Sequence, residues 1–172
     1  MSDKHAAVPG ANASAFSTPD LADGAPQAQA LILPWQDFGG MECFCGSVVT
    51  VKCFEDNSLI KRLVNEPGHG RVIVVDGGES RRRALLGDQL AAAAARNAWS
   101  GLVIAGVVRD VEILETIELG VKALGACPQK TDKRGEGQEG LEIQIGGTTV
   151  RPGDYVYADR NGVLISSTPL LR

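Results

Sequence analysis

The 172-residue sequence is short of the residues that mark several function classes: two histidines, four cysteines and only 5% aromatic residues. His5 lies in the N-terminal segment and His69 sits between two glycines in a turn, so nothing supports a nucleophile–histidine–acid triad. The cysteines are Cys43, Cys45, Cys53 and Cys127. In a chain large enough to build its own core and without an export signal they read as reduced thiols. Cys43 and Cys45 would share one face of a strand, but no histidine lies near enough in sequence to suggest a zinc site, and they read as small buried hydrophobes. Apolar runs such as Gly101 to Val108 fall far short of the roughly 20 residues of a membrane-spanning helix. The N-terminus lacks the apolar block of a secretory signal, which predicts a cytoplasmic protein with no membrane partner. Basic excess is absent as well: 17 Lys and Arg stand against 21 Asp and Glu, a net charge of −4. A dedicated nucleic-acid binder is disfavoured on that balance. No internal repeat marks a solenoid.

What is present is an ordinary soluble composition, 44% hydrophobic and 22% charged, with a length that suits one domain. Residues 1–25, rich in Ala, Pro, Ser, Gly and Asp, read as a flexible N-terminal segment, and residues 26–172 as the single domain. Within the segment, Ser17-Thr18-Pro19-Asp20 carries the start signal of a short helix. Strands are predicted at Leu31 to Leu33 and around Ser47 to Lys52, where β-branched residues suit a pleated surface. The spacing of Leu59, Ile60, Leu63 and Val64 after Asp56-Asn57-Ser58 predicts a helix ending before Pro67.

Arg71 to Val75 and Leu102 to Val108 are continuous apolar runs, the profile of strands buried on both faces. The alanine-rich stretch Gln89 to Asn97 between them is a strong helix former, so the three make a parallel βαβ unit. A helix near Val111 to Leu119 and a strand near Val121 to Leu124 follow. Beyond these the pattern turns β-rich. One hairpin folds at Gly146-Gly147, and a second at Arg160-Asn161-Gly162 with an Asn-Gly turn. The fold class is α/β with a β-rich C-terminal part.

In parallel sheets ligands bind beyond the carboxyl ends of the strands, which here carry Asp76-Gly77-Gly78 and Arg109-Asp110 at one expected rim. Gly87-Asp88-Gln89-Leu90 opens the alanine-rich helix, whose unpaired amides and positive dipole attract carboxylates or phosphates. An anion cradle, a fixed cation at Arg109 and carboxylates at Asp88 and Asp110 suit a small anionic substrate with a hard divalent metal. Oxygen ligands without imidazole or thiolate favour Mg²⁺ or Mn²⁺, with Asp110 as the first ligand. On spacing alone, Asp88 is most simply an N-cap and Arg109-Asp110 a polar turn after a buried strand.

The pairing of Gly87-Asp88-Gln89-Leu90 with Arg109-Asp110, with twenty residues between Asp88 and Arg109, resembles the RraA-like family, which includes 4-hydroxy-4-methyl-2-oxoglutarate aldolases. The resemblance runs from about Ser17 to Ser167. It takes in Val51 to Ser58, Val75-Asp76-Gly77-Gly78, Lys130 to Gly135 and Tyr155 to Asp159. It implies an α/β/β sandwich assembled as a ring-like homotrimer, with sites near subunit interfaces and chemistry through a pyruvate enolate. Carried over by position, Gly87 to Leu90 hold the substrate carboxylate, Arg109 binds the keto acid, Asp110 coordinates the divalent metal, and Asp88 orients a water on it. Oxaloacetate decarboxylation shares that enolate.

Two departures accompany the resemblance. Ile113 stands where aldolase members carry an acid, with Glu112 one position early, and the chain stops at Arg172 without the longer segment that can supply another acid. Loss of a general acid or base costs about 10²- to 10⁴-fold in rate. Both departures resemble a second branch of the family, regulators that bind ribonuclease E through protein contacts. Residues 61–83 carry a local excess of basic side chains, Lys61, Arg62, Arg71, Arg81, Arg82 and Arg83 against Glu66, Asp76 and Glu79, which reads first as a solvated face.

Overall fold

The computed structural model of the chain describes residues 16–171. Helix α1 (Thr18–Gly24) begins at the predicted signal, with Ser17 Oγ accepting the Asp20 amide at 3.5 Å and proline in the first turn, where its missing N–H costs nothing. Asp159 anchors this helix: its carboxylate accepts the Thr18 amide at 2.8 Å and the Thr18 hydroxyl at 2.6 Å. Residues 16–25, expected within a flexible segment, are therefore docked on the domain. Residues 1–15 of that segment lie outside the described residues.

The chain continues through β1 (Gln29–Ala30), β2 (Gln36–Asp37), β3 (Phe44–Lys52), α2 (Ser58–Val64), β4 (Val72–Asp76), β5 (Ala84–Leu86), α3 (Asp88–Arg96), β6 (Gly101–Ala105), β7 (Val107–Val108), α4 (Val111–Leu114), β8 (Gly120–Ala123) and β9 (Gly125–Ala126). It ends with β10 (Gln138–Glu139), the hairpin β11 (Ile143–Ile145) to β12 (Thr148–Val150), and the hairpin β13 (Tyr155–Asp159) to β14 (Gly162–Ser166). The main sheet has the order β1-β14-β13-β3-β4-β6-β8-β2. Strands β3, β4, β6 and β8 pair in parallel, and α3 crosses over between the neighbours β4 and β6 as the βαβ reading requires.

Alternation along these strands feeds two cores. Ile73, Val75, Leu102 and Ile104 pack under the helices with Ile60, Leu63, Ala91, Ala94 and Leu114. Val72, Val74, Val103 and Ala105 face the other way, against Ile143, Ile145, Val156 and Val163 of the C-terminal hairpins. The result is a mixed α/β fold whose sheet curls. Lys122 on β8, only 1% exposed, reaches across to donate to the Asp159 carbonyl on β13, and its ammonium lies 2.9 Å from Asp37 Oδ1. A buried ammonium needs such partners to offset its lost hydration.

Phe44 spans the same curl from β3, and its ring lies over Gly101 of β6 and Gly120 of β8. A Cβ at Gly120 would sit 2.0 Å from Phe44 Cδ1, so this strand position has room for glycine alone. Gly120→Ala is expected to destabilise the protein by about 3 kcal/mol through overpacking, read as a lower midpoint in urea unfolding. An unchanged midpoint would contradict the packing described.

Several local expectations change. Leu31 to Leu33 is not a strand: the short edge strand lies just before it, and Leu31 instead turns a buried side chain into the core while its amide bonds Val163 O at 2.9 Å. The apolar run Leu102 to Val108 is two strands in two sheets, broken at Gly106. Strand β5 inside the crossover was not anticipated. Helix α4 stops at Leu114 and not at Leu119, and β8 begins at Gly120. In the last hairpin Asp159 pairs Gly162, and the positive φ falls on Gly162 (143°) and not on Asn161; Asp159 Oδ1 accepts the Asn161 amide and sets the turn. The basic excess of residues 61–83 is dispersed: Arg62 pairs Glu139, Arg71 stacks on Trp99 at 4.9 Å, and Arg82 pairs Glu55.

Candidate functional site

Strands β6 and β8 do not finish at the level of β4. After one residue each, Gly106 and Leu124, they continue as β7 and β9, which join β5 in a small parallel sheet of order β5-β7-β9. Asp76-Gly77-Gly78 and Arg109-Asp110 therefore do not share one rim. The first ends the main sheet, where Asp76 Oδ1 accepts the Gly78 amide at 3.0 Å and the Gly77 and Glu79 amides both bond Ala105 O. The second ends the small sheet one level beyond.

That sheet brings the predicted residues together. Leu86 pairs Val108, and the Arg109 amide donates to Leu86 O at 2.9 Å, so Gly87 and Arg109 leave the sheet side by side. The start of α3 and the start of α4 then face each other. Asp110 is the N-cap residue of α4 and adopts left-handed backbone angles, φ 57° and ψ 41°, unusual for a residue with a Cβ. Its carbonyl accepts the Ile113 and Leu114 amides at 3.0 and 2.9 Å, but its carboxylate does not cap α4. Oδ2 instead accepts the Asp88 amide of α3 at 3.1 Å and lies 3.8 Å from Arg109 Nε. Backbone strain of about 1–3 kcal/mol is thus spent on aiming this carboxylate, a pattern concentrated at functional sites.

Asp88 Oδ1 accepts the Gln89 amide at 2.9 Å. Two of the amides assigned to a substrate carboxylate, those of Asp88 and Gln89, thus already have acceptors within the chain. Leu90 packs its side chain on the helix-side core, and Gln89 is exposed. The Arg109 and Asp110 side chains are 40% and 34% exposed, open to a ligand while fixed at their backbones. Gly87 matters for space: a Cβ there would come within 2.7 Å of Asp110 Oδ2. Gly87→Ala, whose extended backbone alanine tolerates, is expected to push that carboxylate aside and cut turnover about tenfold with an unchanged melting temperature.

A divalent metal fits this donor set. Among the described residues no group of three or more His, Cys, Asp or Glu side chains converges, which disfavours a closed structural zinc site. Mg²⁺ commonly uses one or two carboxylates and completes its shell with water and substrate oxygens, which the part-exposed Asp110 carboxylate can serve.

The polar residues that brace β5 were missed from sequence. Asn57, positioned as the N-cap of α2, makes no side-chain cap bond; its Nδ2 donates to Leu85 O at 3.0 Å and its Oδ1 accepts the Thr131 hydroxyl at 2.7 Å. Asp56 does the capping, accepting the Ser58 amide at 2.9 Å, and it also accepts the Arg134 and Glu136 amides at 2.8 and 3.1 Å. Burial alone would raise its pKa, but the Ser58 hydroxyl, which also donates to it, and these amides outweigh burial and pull the carboxyl down to about 2. Because the folded value lies below the unfolded one, its stabilisation is complete above about pH 4 and is lost as pH falls through 2. Asp56→Asn is expected to flatten that acid limb of the stability profile, which urea unfolding across pH 2–5 would show.

The chain matches the RraA-like family model, described as Aldolase/RraA, over residues 18–165. A Hahella chejuensis relative bearing the name "Putative 4-hydroxy-4-methyl-2-oxoglutarate aldolase" is 54% identical over 90% of this chain and 95% of its own length. One of the same name from Azotobacter vinelandii is 53% identical over 90% and 96%. Among solved structures, the RNA-processing inhibitor RraA from Thermus thermophilis superposes with a TM-score of 0.87 at 41% identity, covering 90% of this chain and 94% of that one. The match over nearly the whole described domain places this chain in the RraA-like family.

Proposed function

We propose that the protein is a divalent-metal-dependent lyase that cleaves 4-hydroxy-4-methyl-2-oxoglutarate to pyruvate and decarboxylates oxaloacetate through the same enolate, acting as a cytoplasmic ring-like homotrimer. The observation that carries the reading is the strained Asp110, whose carboxylate is held against the start of α3 beside the Arg109 guanidinium. Mg²⁺ or Mn²⁺ at Asp110 would supply Lewis-acid polarisation of the α-keto oxygen. Arg109 holds the keto acid and stands beside the oxygen that becomes negative as the C–C bond breaks and its electron pair moves into the enolate. The positive end of α3 attracts the substrate carboxylate. Asp88, with Oδ1 engaged by the Gln89 amide, orients a water that takes the 4-hydroxyl proton. Relatives at 54% and 53% identity bearing the aldolase name support this reading.

A second reading has its own support. The Thermus thermophilis inhibitor is 41% identical, and Ile113, 48% exposed on α4, stands at the position where the resemblance to aldolase members implies an acid. In that reading the partner is ribonuclease E, bound through protein contacts. Purified protein should release two pyruvates from each 4-hydroxy-4-methyl-2-oxoglutarate with Mg²⁺ or Mn²⁺ and none in chelator. Absence of turnover on this substrate and on oxaloacetate, together with ribonuclease binding that survives Arg109→Ala, would overturn the lyase reading in favour of the regulator.

A further inference from the structure

Arg81, Arg82 and Arg83 lead into β5, and the lyase chemistry uses none of them. Each guanidinium is held differently. Arg81 Nη1 donates to Leu124 O at 3.0 Å, along the joint between β8 and β9. Arg82 forks onto Glu55, Nε to Oε1 at 2.6 Å and Nη2 to Oε2 at 3.1 Å, so these two charges cancel. Arg83 meets only neutral acceptors among the described residues, the Lys130 carbonyl at 3.2 Å and Gln129 Oε1 at 3.4 Å. Arg82, Arg83, Glu55 and Gln129 line an open surface depression of about 360 Å³. Glu55 sits at φ 55°, and Ser80 Oγ joins Arg82 in fixing its carboxylate, at 2.8 Å.

We propose that this depression is a second anion site, in which the fork of Arg83, which makes no salt bridge among the described residues and shares only the field of the Glu55 carboxylate already forked by Arg82, takes a small phosphate or carboxylate beside Arg82. Arg83 precedes β5 and Gly87 follows it, so their backbones lie about 13 Å apart along the extended chain. The proposal uses neither Arg109 nor Asp110 and stands or falls independently of the lyase reading.

Calorimetric titration of the full chain with inorganic phosphate and with malonate, both in chelator, tests it and tells the two ligand chemistries apart. Saturable binding of at least one anion is expected. Gln129→Glu, which sets a carboxylate on Arg83 from an exposed position, should weaken it tenfold or more, and Arg83→Gln should abolish it at an unchanged melting temperature. Arg109→Ala should leave it intact. No saturable binding, binding that persists in Gln129→Glu, or binding lost in Arg109→Ala would each overturn the proposal. A purely structural Arg83 would show a lowered melting temperature in Arg83→Gln together with undiminished anion binding in Gln129→Glu.

Discussion

Arg109→Ala is expected to lower pyruvate release by about 10²- to 10³-fold while leaving the fold intact, the cost typical of removing one preorganised group from a developing oxyanion. The fold should survive because Arg109 contributes to β-sheet pairing through its backbone amide, bonded to Leu86 O, which alanine keeps. Its side chain is 40% exposed and meets Asp110 only at 3.8 Å, an ion pair too open and too long to matter much for stability. Arg109→Lys keeps the charge without the planar fork and should recover only part of the rate. Steady-state turnover set beside a thermal melt decides the matter. Wild-type turnover in Arg109→Ala would remove Arg109 from the mechanism.

Asp110 has two roles, and two substitutions separate them. Asp110→Ala removes the acceptor of the Asp88 amide, costing about 1 kcal/mol as the loss of a cap does, and leaves a less tolerant residue in the left-handed region. Asp110→Asn keeps an acceptor and a residue that enters that region readily, so its stability should match the wild type. Both variants should lose Mn²⁺ binding measured by calorimetry and fall at least 10²-fold in turnover, because the anionic oxygen is gone in each. Mn²⁺ binding unchanged in Asp110→Asn would contradict its assignment as the metal ligand.

How much of this was legible in the sequence depended on whether the signal was local. Strand β4 and helix α3 declare themselves through an unbroken Val-Ile run and an alanine run, and the Gly146-Gly147 turn through two residues that accept positive φ at 55° and 78°. The transfer of β6 into a second sheet at Gly106 does not show, because Leu102 to Val108 stays apolar on both sides of the break and periodicity records burial without recording which sheet provides it. The candidate residues stand out locally, Gly87-Asp88 because it opens the alanine-rich helix and Arg109-Asp110 because it follows an apolar run. Their adjacency comes from the β5–β7 pairing, which three short residues at Ala84–Leu86 gave no reason to expect. The orientation of Asp110 was invisible for a different reason: N-cap residues ordinarily serve their own helix, whereas this one caps the neighbour. Asp56 and Asn57 exchange capping roles likewise, since a contact to Leu85 or Thr131 across the fold leaves no local trace.

The central claim is that the Arg109–Asp110 site stabilises a pyruvate enolate, and proton NMR of pyruvate in D₂O with the purified protein and Mg²⁺ reads that enolate through C–H exchange, without C–C cleavage. The account predicts that the methyl signal is lost to deuterium faster than in a blank of metal alone, that chelator stops the exchange, and that Arg109→Ala abolishes it. Exchange no faster than the blank, in a folded protein with metal present, would contradict the account.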